Sequence, residues 1–282
     1  METIRIPSIM KETSKRHLLR GKTIGFVPTM GALHEGHLSL VKRAKSENDI
    51  VVVSIFVNPT QFGPSEDFDR YPRDMEGDME KLKREGVDIL FMPDARSMYS
   101  DRFSTYITVK DLSDKLCGAF RHGHFTGVAT VVCKLLNIVM PTRAYFGQKD
   151  FQQTVIIKRM TEDLNMNADL VICPTVRESD GLAMSSRNGY LSPEERRAAT
   201  VIYRDILSAS DLIKSGKSNP VDVKKQMHDM LKSEPLISEI QYAGVYNAET
   251  LDELNEFKKQ NLLAIAVKIG NTRLIDNMLA EF

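Results

Sequence analysis

The chain has 282 residues, 42% hydrophobic and 27% charged, the balance of an ordinary globular protein, and at about 150 residues per domain its length predicts roughly two domains. Lys plus Arg (38) equals Asp plus Glu (38), and this zero net charge argues against a non-specific nucleic-acid binder. There is no apolar run of about 18 residues for a membrane span, the charged opening stretch (Lys11, Glu12, Lys15, Arg16, Arg20) does not read as a secretory leader, and the unpaired spacing of Cys117, Cys133 and Cys173 fits a reducing compartment without a thiolate zinc site.

The elements alternate through the first two-thirds of the chain. Thr23 to Val27 is a short apolar run stopped by Pro28, and His37 to Lys45 places Leu40, Val41 and Ala44 on one helical face. Ile50 to Val57 is almost unbroken Ile, Val and Phe, as in a strand covered on both faces of a parallel sheet. A helix over Asp74 to Glu85, a strand over Val87 to Met92 and a long apolar helix over Phe125 to Met140 follow. Next come a strand over Arg143 to Phe146, a helix over Asp150 to Leu164 and a strand over Asp169 to Cys173. This order predicts an α/β, doubly wound parallel-sheet, Rossmann-like domain over 1–176. Beyond it the register changes. Ser192-Pro193-Glu194-Glu195 reads as a helix start running to about Ser215, and a second helix follows Asn219-Pro220. Glu239 to Tyr246, Leu262 to Ile269 and Thr272 to Ile275 read as strands. Residues 177–282 are therefore expected to form a smaller α+β domain, placed by chain order as a lid.

In open parallel sheets ligands bind beyond the carboxyl ends of the strands, so the residues after each strand carry the chemistry. After the first comes Met30-Gly31-Ala32-Leu33-His34-Glu35-Gly36-His37, with glycines for close backbone approach, two imidazoles for a phosphate, and a helix start whose free N–H groups favour an anion. Asn58 and Gln61, uncharged donor–acceptors after the second, suit a small polar molecule or simply a satisfied turn. After the fourth, Gly147-Gln148-Lys149-Asp150 offers a mobile cation for phosphate and an acceptor for ribose hydroxyls, with Gln153 one turn on. After the last, Val176 and Met184-Ser185-Ser186-Arg187 add hydroxyl and guanidinium donors. Neither a P-loop nor G-x-G-x-x-G is present, which disfavours a P-loop enzyme or a dehydrogenase. A metal hydrolase using His34, His37, His122 and His124 is a rival reading that lacks a convincing carboxylate set.

His34-Glu35-Gly36-His37 resembles the H-I-G-H signature of nucleotidylyltransferases, and Met184-Ser185-Ser186-Arg187 resembles their second, K-M-S-K-S-type signature. Longer strings narrow the resemblance: Pro28 to His37, Val57 to Gly63, Tyr71-Pro72-Arg73, Gly123 to Val128, Lys149 to Gln153 and Gly181 to Asn188 are similar to the pantoate–β-alanine ligase family along the whole chain. That resemblance implies ATP-dependent joining of pantoate to β-alanine through a pantoyl-adenylate, by a cytoplasmic homodimer using Mg²⁺, with no nucleic-acid or membrane partner. A cofactor nucleotidylyltransferase of the same fold is the alternative.

Carried over residue by residue, Met30 to His37, Gly147 to Asp150, Val176 and Met184 to Arg187 would bind ATP, with His34, His37 and Lys149 catalytic. Gln61, Gln153 and Asn58 would hold pantoate, and Gln61 would also lie near β-alanine. His122, where the family often has Pro, and Gln148, where it often has Glu, depart from the pattern without removing an assigned residue.

Overall fold

In the computed structural model, residues 1–64, 66–216 and 218–282 are described, and they pack into two compact units. The first comprises 1–113, 121–147 and 153–174; the second comprises 114–120, 148–152 and 175–282. The expected single cut after 176 is thus replaced by a division in which two short internal stretches join the C-terminal unit.

In chain order the first part holds β1 (Glu2–Ile4), α1 (Pro7–Leu19), β2 (Ile24–Thr29), α2 (Glu35–Glu47), β3 (Ile50–Ile55), α3 (Met75–Arg84) and β4 (Ile89–Phe91). Then come α4 (Ala95–Met98), α5 (Cys117–Phe120), α6 (His124–Val139), β5 (Arg143–Gly147), α7 (Phe151–Asp163) and β6 (Asp169–Cys173). The strands form one parallel sheet in the order β1-β4-β3-β2-β5-β6. From β2 the chain winds one way through β3 and β4, and from β5 the other way to β6. The order therefore reverses between β2 and β5, the position where such sheets open a ligand crevice.

β3 is apolar except for Ser54, and both of its faces are covered, with Val52 and Ser54 as fully buried as Val51 and Val53. Val51, Val53 and Ile55 join Val27, Val41, Ala44 and Leu90 in one core. Each such fully buried side chain contributes roughly 1.5–3 kcal/mol. The α6 helix begins at His124 after Gly123 and ends at Met140, a left-handed cap residue with Pro141 behind it to prevent continuation. β1 and α1 were not anticipated. β1 has three residues, and the buried face of α1 is Met10, Thr13 and Ser14, which leaves almost no apolar periodicity to read.

The second unit continues with α8 (Pro193–Ala198), α9 (Val201–Lys214), α10 (Pro220–Lys232) and an antiparallel sheet of β7 (Ile237–Asn247), β8 (Gln260–Ile269) and β9 (Thr272–Glu281). Ser192 starts α8 through a reciprocal cap: the Glu195 N–H donates to Ser192 Oγ (3.2 Å), and the Ser192 N–H donates to Glu195 Oε2 (2.8 Å). The single helix expected over 192–215 is divided at Ala199–Thr200. Ile202, Ile206 and Ile213 of α9 and Met227 of α10 pack with Leu263, Ile265 and Val267 of β8 in this unit's own core.

Candidate active site

The residues expected to carry chemistry divide between the units: Met30 to His37, Asn58, Gln61, Gly147 and Gln153 belong to the first, and Gln148 to Asp150, Val176 and Met184 to Arg187 to the second.

In the first unit, β2 delivers its loop at the reversal point of the sheet, and the loop turns sharply into α2. Gly31 has φ +89°, and an added Cβ would stand 3.1 Å from Ile55 and 3.2 Å from an Asp78 oxygen, so glycine is required on both counts. Ala32 is also left-handed, at φ +51°. The helix then starts on a cap made of histidines. The Gly36 N–H donates to His34 Nδ1 (3.1 Å), and the His34 N–H reaches His37 Nδ1 (3.4 Å). The two rings lie 4.2 Å apart.

These contacts occupy two of the N–H groups that the sequence places at this helix start. The Gly36 N–H is taken by His34 Nδ1, and the His37 N–H donates to the His34 carbonyl (2.8 Å). They also assign the imidazole protons. A nitrogen that accepts from a backbone N–H carries no hydrogen, so both rings are Nε2–H tautomers. Each imidazole proton thus sits on Nε2, at the N-terminal end of α2 where the helix dipole is positive.

Beyond β3 the chain enters a 3-10 turn over Pro59–Gln61. Asn58, 1% exposed, is fully engaged there. Its amide donates to Gln61 Oε1 (3.1 Å) and the Gly127 carbonyl (3.2 Å), and its Oδ1 accepts from the Tyr99 hydroxyl (2.8 Å) and the Thr60 hydroxyl (3.0 Å). The side-chain polar atoms of Asn58, expected to hold pantoate, are thus bonded to protein groups, Gln61 among them. With Oε1 committed, the Gln61 amide nitrogen faces the other way and donates to Met30 Sδ (3.1 Å), which joins the β2 and β3 loops. A cavity of about 250 Å³ opens beside Met30 and Gly31, walled in part by Ile55, Phe56, Phe68 and Asp78.

A charged relay missed in the sequence secures the same turn. Arg121 pairs with both carboxylate oxygens of Glu66 (2.5 and 2.8 Å) and donates to His124 Nε2 (2.9 Å). His124 Nδ1–H in turn donates to the Gln61 carbonyl (2.8 Å). Burial pushes the Glu66 carboxyl up, but Arg121 outweighs it and holds the group below its ordinary range. His124 belongs to the Gly123 to Val128 string of the family resemblance and to the rival metal reading. Among the described residues no group of three or more His, Cys, Asp or Glu is arranged to hold a metal ion.

In the second unit, 176–184 form a small hairpin. The Met184 N–H donates to the Val176 carbonyl (3.0 Å), so these two expected residues meet. Two arginines brace it. Arg177 grips Asp276 through two nitrogens (2.5 and 3.0 Å), and Arg196 binds Glu178 (2.6 Å) and Asp180 (2.8 Å). Ser185 caps the following 3-10 turn, its Oγ accepting from the Arg187 N–H (3.3 Å). Lys149 is placed from its backbone: the Asn277 amide donates to the carbonyls of Lys149 (2.8 Å) and Gln148 (3.0 Å). Arg177, Asp276 and Asn277 carried no local signal, because the partners named here lie 99 to 129 residues away in sequence.

The chain as a whole is similar to known proteins. The family model described as pantoate-beta-alanine ligase matches residues 2–279. A pantothenate synthetase of Thermodesulfovibrio yellowstonii is 62% identical over 281 residues, covering 100% of both chains, and one of Acetivibrio thermocellus is 51% identical with the same coverage. The crystal structure of pantothenate synthetase from Thermus thermophilus superposes with a TM-score of 0.93 at 43% identity, covering 99% of each chain. That of pantoate-beta-alanine ligase from Francisella tularensis, complexed with beta-gamma ATP and beta-alanine, gives 0.81 at 38% identity, covering 99% of this chain and 97% of that one. On the family match and these identities, the chain belongs to the pantoate–β-alanine ligase family.

Proposed function

We propose that this protein joins (R)-pantoate to β-alanine using ATP. A carboxylate does not condense with an amine directly, because oxide is a poor leaving group. In the first half-reaction a pantoate carboxylate oxygen attacks the α-phosphorus, the bond to the bridging oxygen breaks, and pyrophosphate departs. In the second, the neutral β-alanine amine attacks the acyl carbon, AMP leaves with the electrons of the acyl–oxygen bond, and the nitrogen gives up a proton.

The observation that carries this reading is the histidine cap at the sheet's reversal point, in a chain of this family. It supports His34 and His37 as fixed Nε2–H donors to phosphate oxygens on which charge grows during the first step. Lys149, Ser185, Ser186 and Arg187 serve as further phosphate donors. Gly147 to Asp150, Val176 and Met184 contact the nucleotide, as do Met30 to His37. Gln61 and Gln153 hold pantoate, Asn58 orients Gln61, and Gln61 lies near the β-alanine amine. Much of the second step is positioning, which contributes several kcal/mol when an amine is well oriented.

Mg²⁺ fits as an ion carried on the triphosphate, since the described residues supply no cage of three or more ligating side chains and Mg²⁺ binds readily through phosphates. It would neutralise phosphate charge. A homodimer and a cytoplasmic location belong to the same reading, on the family resemblance.

The test is ATP–pyrophosphate exchange across a panel of small carboxylic acids, with product analysis. Exchange should depend on pantoate, and free AMP should appear once β-alanine is added; AMP retained on the product would instead indicate a nucleotidylyltransferase. His37→Ala and Lys149→Ala should slow adenylate formation far more than attack on pre-formed pantoyl-adenylate. Equal slowing of both halves would defeat the assignment.

A further inference from the structure

We infer that Asp78 is a positioning residue for nucleotide binding, its carboxylate holding the loop between β2 and α2 in its working shape. The inference rests on reading that loop as part of the ATP site.

Asp78 lies on α3, outside every motif considered above, and is 1% exposed. One carboxylate oxygen accepts from the Ala32 N–H and the other from the Leu33 N–H, both at 2.7 Å. These are the two residues immediately before His34, and Ala32 is held at φ +51°, a conformation that a residue bearing a Cβ does not favour. Lys81, one turn further along α3, donates from Nζ to the Leu33 carbonyl (2.8 Å) and stands 3.8 Å from Asp78. Two successive N–H groups and the adjoining carbonyl of the loop are thus fixed by one acid–base pair on a neighbouring helix.

Packing anchors the Leu33 side chain, 4% exposed in the first unit's core, and the Asp78–Lys81 pair adds to this by fixing the backbone N–H groups of Ala32 and Leu33 and the Leu33 carbonyl. Met30, Gly31 and Asp78 all border the cavity of about 250 Å³, so the loop has open space beside it. Gly31 fits the same device, since any larger residue would press on the Asp78 oxygen. Without the carboxylate, the Ala32 and Leu33 N–H groups lose the acceptors that help to hold Ala32 in its left-handed conformation. The His34–His37 pair, hinged two residues downstream, would then lose its aim at the phosphates. A shift of about 1 Å in such groups lowers rates by about a hundredfold.

The experiment compares wild type, Asp78→Asn and Lys81→Met in pantoate-dependent ATP–pyrophosphate exchange, thermal melting and amide hydrogen exchange. Asn keeps the shape but presents an NH₂ group to one of the two N–H donors. For Asp78→Asn we expect a raised KM for ATP and exchange slowed about a hundredfold, with protection lost chiefly over residues 30–38. Attack of β-alanine on pre-formed pantoyl-adenylate should stay within about threefold of wild type. Lys81→Met, at a half-exposed position, should give the same pattern at smaller amplitude. Unchanged ATP kinetics in both variants would overturn the inference, as would protection lost evenly across the first unit with activity falling only as the folded fraction falls. If Asp78→Asn does not fold, Lys81→Met decides alone, and unchanged ATP KM and loop protection in it would be the overturning result. Absence of pantoate-dependent exchange in the wild type would sink the functional reading instead, and the protection data would still judge the clamp.

Discussion

His34 does two jobs that one substitution separates. Its Nδ1 caps α2 by accepting the Gly36 N–H at 3.1 Å, and that contact makes Nε2 the protonated, donating nitrogen. Asparagine is among the strongest helix caps, and its side-chain oxygen accepts the same kind of bond. His34→Asn therefore preserves the cap and deletes the distal donor. Removing one donor from a developing anion typically costs about 2.7–4 kcal/mol, or roughly 10²–10³ in rate. His34→Ala removes both functions and adds about 1 kcal/mol of lost cap stability. For a unit of this size that corresponds to a fall of about 2–4 °C in Tm. The assay is ATP–pyrophosphate exchange beside a melting curve for each variant. Asn should melt near wild type yet exchange at roughly a hundredth of its rate, and Ala should be equally slow and melt lower. Near-normal exchange by the Asn variant would refute the donor role. An Ala variant melting like the wild type would refute the cap.

Two further outcomes follow from the packing. Asp205 on α9 is 0% exposed, neither carboxylate oxygen has a hydrogen-bond partner among the described residues, and burial pushes its pKa up to about 8. Unfolded, the same group titrates near about 3.9, so across that window only the folded state holds the proton. Stability should thus fall as pH rises from about 4 to about 8, by at most about 1.4 kcal/mol per pH unit from this group, and Asp205→Asn should flatten the slope. Denaturant titrations showing the same pH dependence in both proteins would contradict this. At Gly127, an added Cβ would collide with the Thr60 carbonyl, so Gly127→Ala must push α6 away from the turn that carries Asn58 and Gln61. Overpacking of this kind costs about 1–3 kcal/mol. The KM for pantoate should rise about tenfold, with a smaller change for ATP; an unmoved pantoate KM would show that this turn does not set the pantoate site.

Local pattern was enough for much of this protein. Runs such as Ile50 to Ile55, apolar at every position but Ser54, announce strands covered on both faces because successive apolar side chains point to opposite sides and both sides must leave water. Ser192 with Glu195 announces a helix start because the cap is made by residues three apart. The ends of the strands could be searched for phosphate-binding residues before any coordinates, since parallel sheets place ligands there. The histidine pair, Gln61 and Lys149 are candidates by that criterion.

What remained hidden depended on contacts between distant segments. The sheet order, with its reversal between β2 and β5, is decided by how whole elements pack, and strand patterns do not encode it. Asn58 is a candidate substrate ligand by sequence, and its bonds to Tyr99 and Gly127, forty and seventy residues on, are set only by folding. Asp78 looked like one acid in a charged helix until folding removed it from water and set it under Ala32 and Leu33. The sequence by itself determined which side chains could do the chemistry. Tertiary structure alone decided their orientation and tautomer, because a hydrogen bond requires donor and acceptor to meet within about 3 Å and only the folded chain brings distant residues that close.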